Sequence, residues 1–74
     1  MANLPIISGR KARRAFEKDG WVFNRQRGSH MILTKANVPV NLSVPDHHEL
    51  DRGLLRSLIR DAGLTVEEFS RLLD

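Results

Sequence analysis

The chain has 74 residues, no cysteine and a formal net charge of +3. We expect a single domain over residues 1–74, because a chain of this length buries only roughly 60% of its unfolded surface and has no room for a deep cofactor cavity. The absence of cysteine excludes disulfides and thiolate metal sites, and it fits a reducing cytoplasm. The apolar runs are far shorter than the roughly 20 residues that span a bilayer, so no membrane association is expected.

The basic residues are concentrated in one half of the chain. Residues 1–35 contain eight Lys or Arg and two Asp or Glu, a net charge of +6, whereas residues 36–74 contain four and seven, a net charge of −3. A basic surface attracts polyanions, so nucleic acid is a natural partner. The alternative is a solvated helix face on an ordinary small protein, and charge alone does not decide between the two.

The first predicted element is a helix. Apolar residues recur with helical spacing at Ala12, Ala15 and Phe16. Ser8 is a suitable N-cap, and Gly20 is placed to end the helix. The outer face of this helix is basic and carries Arg10, Lys11, Arg13, Arg14 and Lys18.

Three short segments rich in β-branched and aromatic residues follow, at residues 21–26, 30–35 and 38–44. The connections between them are short and contain turn-forming residues, which predicts an antiparallel meander. Pro39 fits only an edge position or a strand start, because proline cannot donate a hydrogen bond to a neighbouring strand.

The rest of the chain is predicted to be a loop and two helices. Residues 45–50 form the loop, Asp51 or a neighbour caps the second helix and Gly63 ends it. The buried face of that helix consists of Leu55, Leu58, Ile59 and Ala62. Thr65 and Glu68 match a capping box that opens a short last helix, which we expect to run through to Leu73.

These elements predict an α+β fold of the order α-β-β-β-α with a short C-terminal helix. Amphipathic helices and a short antiparallel sheet bury their apolar faces against each other in two layers. We therefore expect the helices on one face of a three-stranded sheet, with the other face partly open.

Few side chains in the sequence could carry a reaction. A metal site formed by Asp46 and the histidines is disfavoured, because adjacent residues in an extended loop point apart and no familiar zinc spacing is present. We expect His48 to be an exposed loop residue. A nucleophilic pair of Ser29 and His30 is set aside, because neighbours on a strand face opposite sides of the sheet.

Acid/base chemistry on a phosphodiester is the remaining option. An imidazole can take a proton from a ribose 2′-OH or give one to the leaving 5′-oxygen, while Arg or Lys stabilises the charge that develops. His30 has this setting, since Arg25, Arg27 and the turn at Gly28 flank it. The alternative, a histidine that only hydrogen-bonds within a turn, is not excluded by spacing alone.

Four motifs stand in order within residues 8–69: "SGRKARRAFEKDGW", "RQRGSH", "VPDH" and "DRGLLRSLIRDAGL". They correspond to a basic first helix that leads into a Gly-aromatic strand start, a Gly-Ser-His turn, a Pro-x-His loop and a helix start that contains glycine. In this order and spacing the chain resembles the HicA family of bacterial toxins, also described as YcfA-like proteins.

The resemblance implies a fold like that of double-stranded-RNA-binding domains and an mRNA interferase, a ribonuclease that cleaves mRNA without a metal or other cofactor and arrests translation. The catalytic histidine of the family corresponds to His30, with Gly28 and Ser29 as the turn that presents it. The Pro-x-His histidine corresponds to His47, which either orients its loop, the favoured role, or supplies a second acid/base group. The implied partner is a HicB-type antitoxin that covers the active surface.

The preferred hypothesis is therefore a toxin endoribonuclease in the cytoplasm with His30 as the acid/base group. The candidate RNA-binding residues are Lys11, Arg14, Arg25 and Arg27. RNA is the expected substrate because DNA lacks the 2′-OH nucleophile, and no direct binding of DNA by this chain is expected. The alternatives are a small RNA-binding module without catalysis and a family member that only binds a protein partner.

Overall fold

The computed structural model describes residues 3–73, and its elements follow the predicted order. The helices are α1 (Gly9–Lys18), α2 (Arg52–Asp61) and α3 (Val66–Arg71), and the strands are β1 (Val22–Arg27), β2 (His30–Thr34) and β3 (Leu42–Pro45). The three strands form one antiparallel sheet in the order β1-β2-β3. The α-β-β-β-α order with a short C-terminal helix is thus confirmed.

The predicted helix caps are all formed. The Ser8 hydroxyl and the Asp51 carboxylate each accept a hydrogen bond from a backbone N–H of the following turn, at 3.1 Å in both cases. Thr65 and Glu68 form the reciprocal capping box of α3, with distances of 3.0 and 2.8 Å. These bonds satisfy N–H groups that have no partner within a helix, so they fix where each helix begins.

The strand boundaries differ from the prediction, most of all in β3. This strand begins at Leu42, which pairs with Leu33 of β2, rather than at residue 38. Two features prevent earlier pairing: Asn37 has a left-handed backbone with φ +66°, and Pro39 has no N–H to donate. The other differences are small: β1 lies one residue later at both ends, β2 ends one residue earlier, and α3 ends at Arg71 rather than Leu73.

The sheet has one buried face and one open face. Met31, Leu33, Leu42 and Val44 alternate along β2 and β3, are at most 1% exposed and belong to the same core as the apolar sides of the helices. In that core the ring centroids of Phe16 and Phe69 are 4.9 Å apart. On the opposite face, His30 and Ser43 are exposed and Ile32 is half-buried. The expected two-layer arrangement is therefore present.

The start of α1 lies directly against the end of β3. A Cβ atom on Gly9 would overlap the backbone carbonyl oxygen of Pro45, which cannot rotate away. The N–H of Gly9 also donates a hydrogen bond of 2.9 Å to the carbonyl of His47. Only glycine permits α1 to approach this closely, so Gly9 sets the distance between the first helix and the sheet.

We predict that Gly9→Ala lowers the free energy of unfolding by about 2–3 kcal/mol, the upper part of the range for overpacked sites, because helix and strand backbones must separate. A matched control is Gly53→Ala in the first turn of α2, where the new Cβ would meet only the side chain of Asp51. The control should change stability by no more than about 1 kcal/mol. Urea unfolding measures both, and equal effects of the two substitutions would contradict the close approach at Gly9.

Candidate active site around His30

His30 is the first residue of β2 and follows a two-residue hairpin turn at Gly28 and Ser29. Gly28 has φ +57° and occupies the first turn position, where type II′ hairpin turns require a positive φ and use glycine. The turn therefore places His30 at the end of the sheet, with its side chain exposed on the open face.

A backbone hydrogen bond ties this turn to the loop that follows β3. The N–H of Asp46 donates to the carbonyl of Ser29 at 2.7 Å. The loop is itself anchored to the N-terminal part of the chain, because Gly9 donates to His47 and Leu50 donates to Ile7 at 2.9 and 2.8 Å. The two loops predicted to matter thus meet at one end of the sheet.

The imidazole of His30 has one bonded and one free nitrogen. Nδ1 lies 3.3 Å from the Oγ atom of Ser43, and among residues 3–73 no group hydrogen-bonds to Nε2. The ring borders a shallow, open depression lined by Arg27, Gly28, His30, Ile32 and Ser43. A ligand in this depression would therefore lie beside the imidazole.

Both predicted strand arginines share this face with His30. Arg27 is paired directly with His30 across β1 and β2, and Arg25 is paired with Ile32. Directly paired residues of antiparallel strands project from the same side of a sheet. The Arg25 guanidinium donates a hydrogen bond of 2.9 Å to Oδ1 of Asn24. The side chains of Arg25 and Arg27 are both exposed. The structure therefore places two cations on the same sheet face as the exposed imidazole, with Arg27 directly opposite His30.

The other two predicted RNA-binding residues do not join this site. Lys11 and Arg14 are on α1, which packs on the buried side of the sheet. They line a separate depression with Leu72 and Leu73, and Arg14 also borders a groove between α1 and β1. A strand of RNA bound over His30 would have to pass around the edge of the sheet to reach them.

The loop histidines also lie apart from the depression at His30. The side chains of His47 and His48 are exposed, and they line a neighbouring depression with Ser8, Arg10 and Asp46. The position of His48 is as expected. The backbone carbonyl of His47 accepts the bond from Gly9, whereas the role of its side chain stays a prediction. No three His, Cys, Asp or Glu side chains among residues 3–73 are grouped as metal ligands would be.

Two contacts that shape this end of the molecule were not predicted from the sequence. Ser43 reaches His30, and alternation along β3 could have placed it on the open face if the strand pairing had been known. Arg10 forms a two-pronged ion pair with Asp46, with Nε–Oδ1 and Nη2–Oδ2 distances of 3.0 and 3.2 Å. These residues are 36 positions apart in the sequence, and no local pattern connects them.

The ion pair shifts the ionisation of both partners. The hydrogen bond from Arg10 is the main cause of a lowered pKa of Asp46, and the charges of Arg10, His47 and His48 act in the same direction. The hydrogen bond to Asp46 in turn raises the pKa of Arg10. The carboxylate that follows β3 is therefore stabilised in its charged form.

The fold and this site define a small α+β protein with an exposed histidine and two arginines on an open sheet face. Among the helices formed by residues 3–73, none has the length and apolar composition needed to cross a bilayer. A family model described as the HicA toxin of bacterial toxin–antitoxin systems matches residues 9–64, well over half of the chain. The chain belongs to this family of toxins, and an antitoxin is its implied partner. A search of curated proteins gives no match.

The lowered pKa of Asp46 predicts how stability depends on pH. A carboxyl group with a lower pKa in the folded than in the unfolded state stabilises the fold above its unfolded pKa, and the effect disappears as the pH falls through the folded pKa. We expect the stability difference between the wild type and Asp46→Asn to be fully present at about pH 5 and to shrink below about pH 4. Urea unfolding across this range measures it.

Arg10→Gln provides the matched variant for this experiment. It removes the partner but leaves the carboxyl group, so it should abolish most of the extra stability that appears as the pH rises through the acid range. A difference between the wild type and Asp46→Asn that stayed unchanged down to about pH 2, well below the ordinary range of aspartate, would show that the ion pair is not its source.

Proposed function

We propose that this toxin is an endoribonuclease that cleaves mRNA and thereby inhibits translation, with His30 as the acid/base group. The observation that carries the proposal is the exposed imidazole at the start of β2, with Arg25 and Arg27 on the same face. This combination supplies proton transfer and positive charge at one place on the surface.

The proposed reaction is an attack by the ribose 2′-oxygen on the adjacent phosphorus. The imidazole takes the proton of the 2′-OH while the bond between O2′ and phosphorus forms. The bond between phosphorus and the 5′-oxygen then breaks, and the imidazolium returns the proton to that oxygen. Arg27 and Arg25 stabilise the negative charge on the phosphoryl oxygens, and the side chains supply every group that the reaction uses.

The charge distribution supports a polyanionic substrate. The +6 charge of residues 1–35 includes both arginines of the site and the basic face of α1. Binding should therefore weaken steeply as salt concentration rises. Lys11 and Arg14 are proposed to contact more distant phosphates of the same RNA, since they lie outside the depression at His30.

We propose a HicB-type antitoxin as the partner of this toxin and the open sheet face as the surface that it covers. The face carries the exposed histidine and two cations, and an antitoxin seated there would block access of RNA to His30. Binding to DNA would be a task of the antitoxin rather than of this chain. The proposed location of the pair is the cytoplasm, where mRNA is translated.

The second candidate function is an RNA-binding module without catalysis, since an open face with two arginines serves binding equally well. His30→Ala discriminates between the two. We expect this variant to lose cleavage of an RNA oligonucleotide by at least about 100-fold, because general acid/base catalysis contributes this much or more. Binding of the RNA should change little, because both arginines are retained.

His48→Ala is the matched control, since this exposed histidine lies outside the depression at His30. It should cleave RNA at nearly the wild-type rate. A His30→Ala protein that still cleaves RNA would rule out catalysis by His30, and one that still arrests growth when induced without cleaving RNA would favour simple binding.

The nucleophile is tested by changing the substrate. Once a cleaved bond has been mapped in an RNA oligonucleotide, the nucleotide on its 5′ side is replaced by its 2′-deoxy form. Cleavage at that bond should stop in buffer with or without EDTA, while cleavage of the parent RNA should persist with EDTA. Cleavage of the substituted bond at the parent rate would exclude attack by the 2′-oxygen.

A further inference from the structure

Ser43 makes the one side-chain hydrogen bond to His30 that the described residues offer, with 3.3 Å between Oγ and Nδ1. The strand register explains this contact. His30 is opposite Pro45 and Ile32 is opposite Ser43, so His30 and Ser43 are diagonal neighbours on the open face. Both side chains are exposed. Burial therefore does not hold the ring, and the hydroxyl is what restrains it.

The hydroxyl group suits both forms of the imidazole that proton transfer requires. A general base needs a free lone pair, and if Ser43 accepts a hydrogen bond from Nδ1–H, that lone pair is on Nε2. A general acid needs the imidazolium, whose Nδ1–H can donate to the same oxygen. An accepting Ser43 thus serves both steps without a rotation of the ring.

We propose that Ser43 is a positioning residue that keeps a proton on Nδ1 of His30, so that Nε2 is the atom that exchanges protons with RNA. The inference rests on the proposed nuclease function. In the reaction, Nε2 takes the proton of the 2′-OH and later gives it to the 5′-oxygen, while Nδ1–H stays bonded to Ser43. Nε2 has no hydrogen-bond partner among residues 3–73, which leaves it available for this exchange.

The first test observes the tautomer directly in the full-length protein without RNA. The ¹⁵N chemical shifts of a neutral imidazole distinguish a protonated from an unprotonated nitrogen. In the wild type we expect the proton on Nδ1, and in Ser43→Ala a shift of the population towards Nε2–H. Ser43→Thr keeps the hydroxyl on a β-branched residue suited to a strand and should restore the wild-type spectrum.

The second test measures cleavage of an unstructured RNA oligonucleotide. Ser43→Ala should lower kcat about three- to tenfold, the value of one hydrogen bond, and should leave KM nearly unchanged. Ser43→Thr should retain most of the activity. Thr34→Val is the matched control, because Thr34 is on the same sheet face but paired with Val22 at the far end of β2. It should match the wild type in both tests.

The outcomes separate this inference from the function on which it rests. If His30→Ala abolishes cleavage while Ser43→Ala changes neither the tautomer nor kcat, the role of Ser43 is wrong and the nuclease proposal stands. If Ser43→Ala raises KM and leaves kcat unchanged, Ser43 contacts RNA directly and positioning is overturned. If His30→Ala cleaves like the wild type, His30 is not the acid/base group and the role of Ser43 fails with it.

Discussion

The close approach of Gly9 to the carbonyl of Pro45 is the constraint on which the rest of the structure depends. It brings the start of α1 to the end of β3, and the bond from Gly9 to His47 fixes the loop that follows. In the same loop, the N–H of Asp46 donates a hydrogen bond to the carbonyl of Ser29 and so holds the hairpin turn. One backbone contact therefore connects the first helix, the sheet and the turn that precedes the candidate catalytic residue.

The two-layer packing explains why a chain this small can carry a group of polar side chains on an exposed sheet face. Apolar side chains on one face of β2 and β3 complete the core with the helices, so the alternate positions are free to carry polar groups. His30 and Ser43 occupy such positions, and Arg27 joins them from β1 through the strand pairing. The site therefore needs no cavity, and a long flexible polymer such as RNA can reach it across an open surface.

Local patterns in the sequence predicted most of the fold. Helix caps depend on residues within one turn of each other, and for this reason the caps at Ser8, Asp51 and Thr65 were predicted correctly. The start of β3 was not, because pairing with β2 decides it, and the turn at Asn37 delays that pairing. The family resemblance predicted membership of the HicA toxins, which the match over residues 9–64 confirms.

The candidate site was predictable only in part, because it combines residues from three strands. The Gly-Ser-His motif and the flanking arginines are local in sequence, whereas the contact of His30 with Ser43 depends on strand register. Lys11 and Arg14 looked equivalent to the strand arginines, yet helix packing places them in another layer.

The chemistry of the RNA ends left by cleavage tests the central claim most directly, and mass spectrometry of the products from a short RNA identifies them. Attack by the 2′-oxygen, assisted by His30, predicts a 2′,3′-cyclic phosphate on one fragment and a 5′-hydroxyl on the other. Fragments that carry a 3′-hydroxyl and a 5′-phosphate would show that water is the nucleophile, and they would contradict the mechanism.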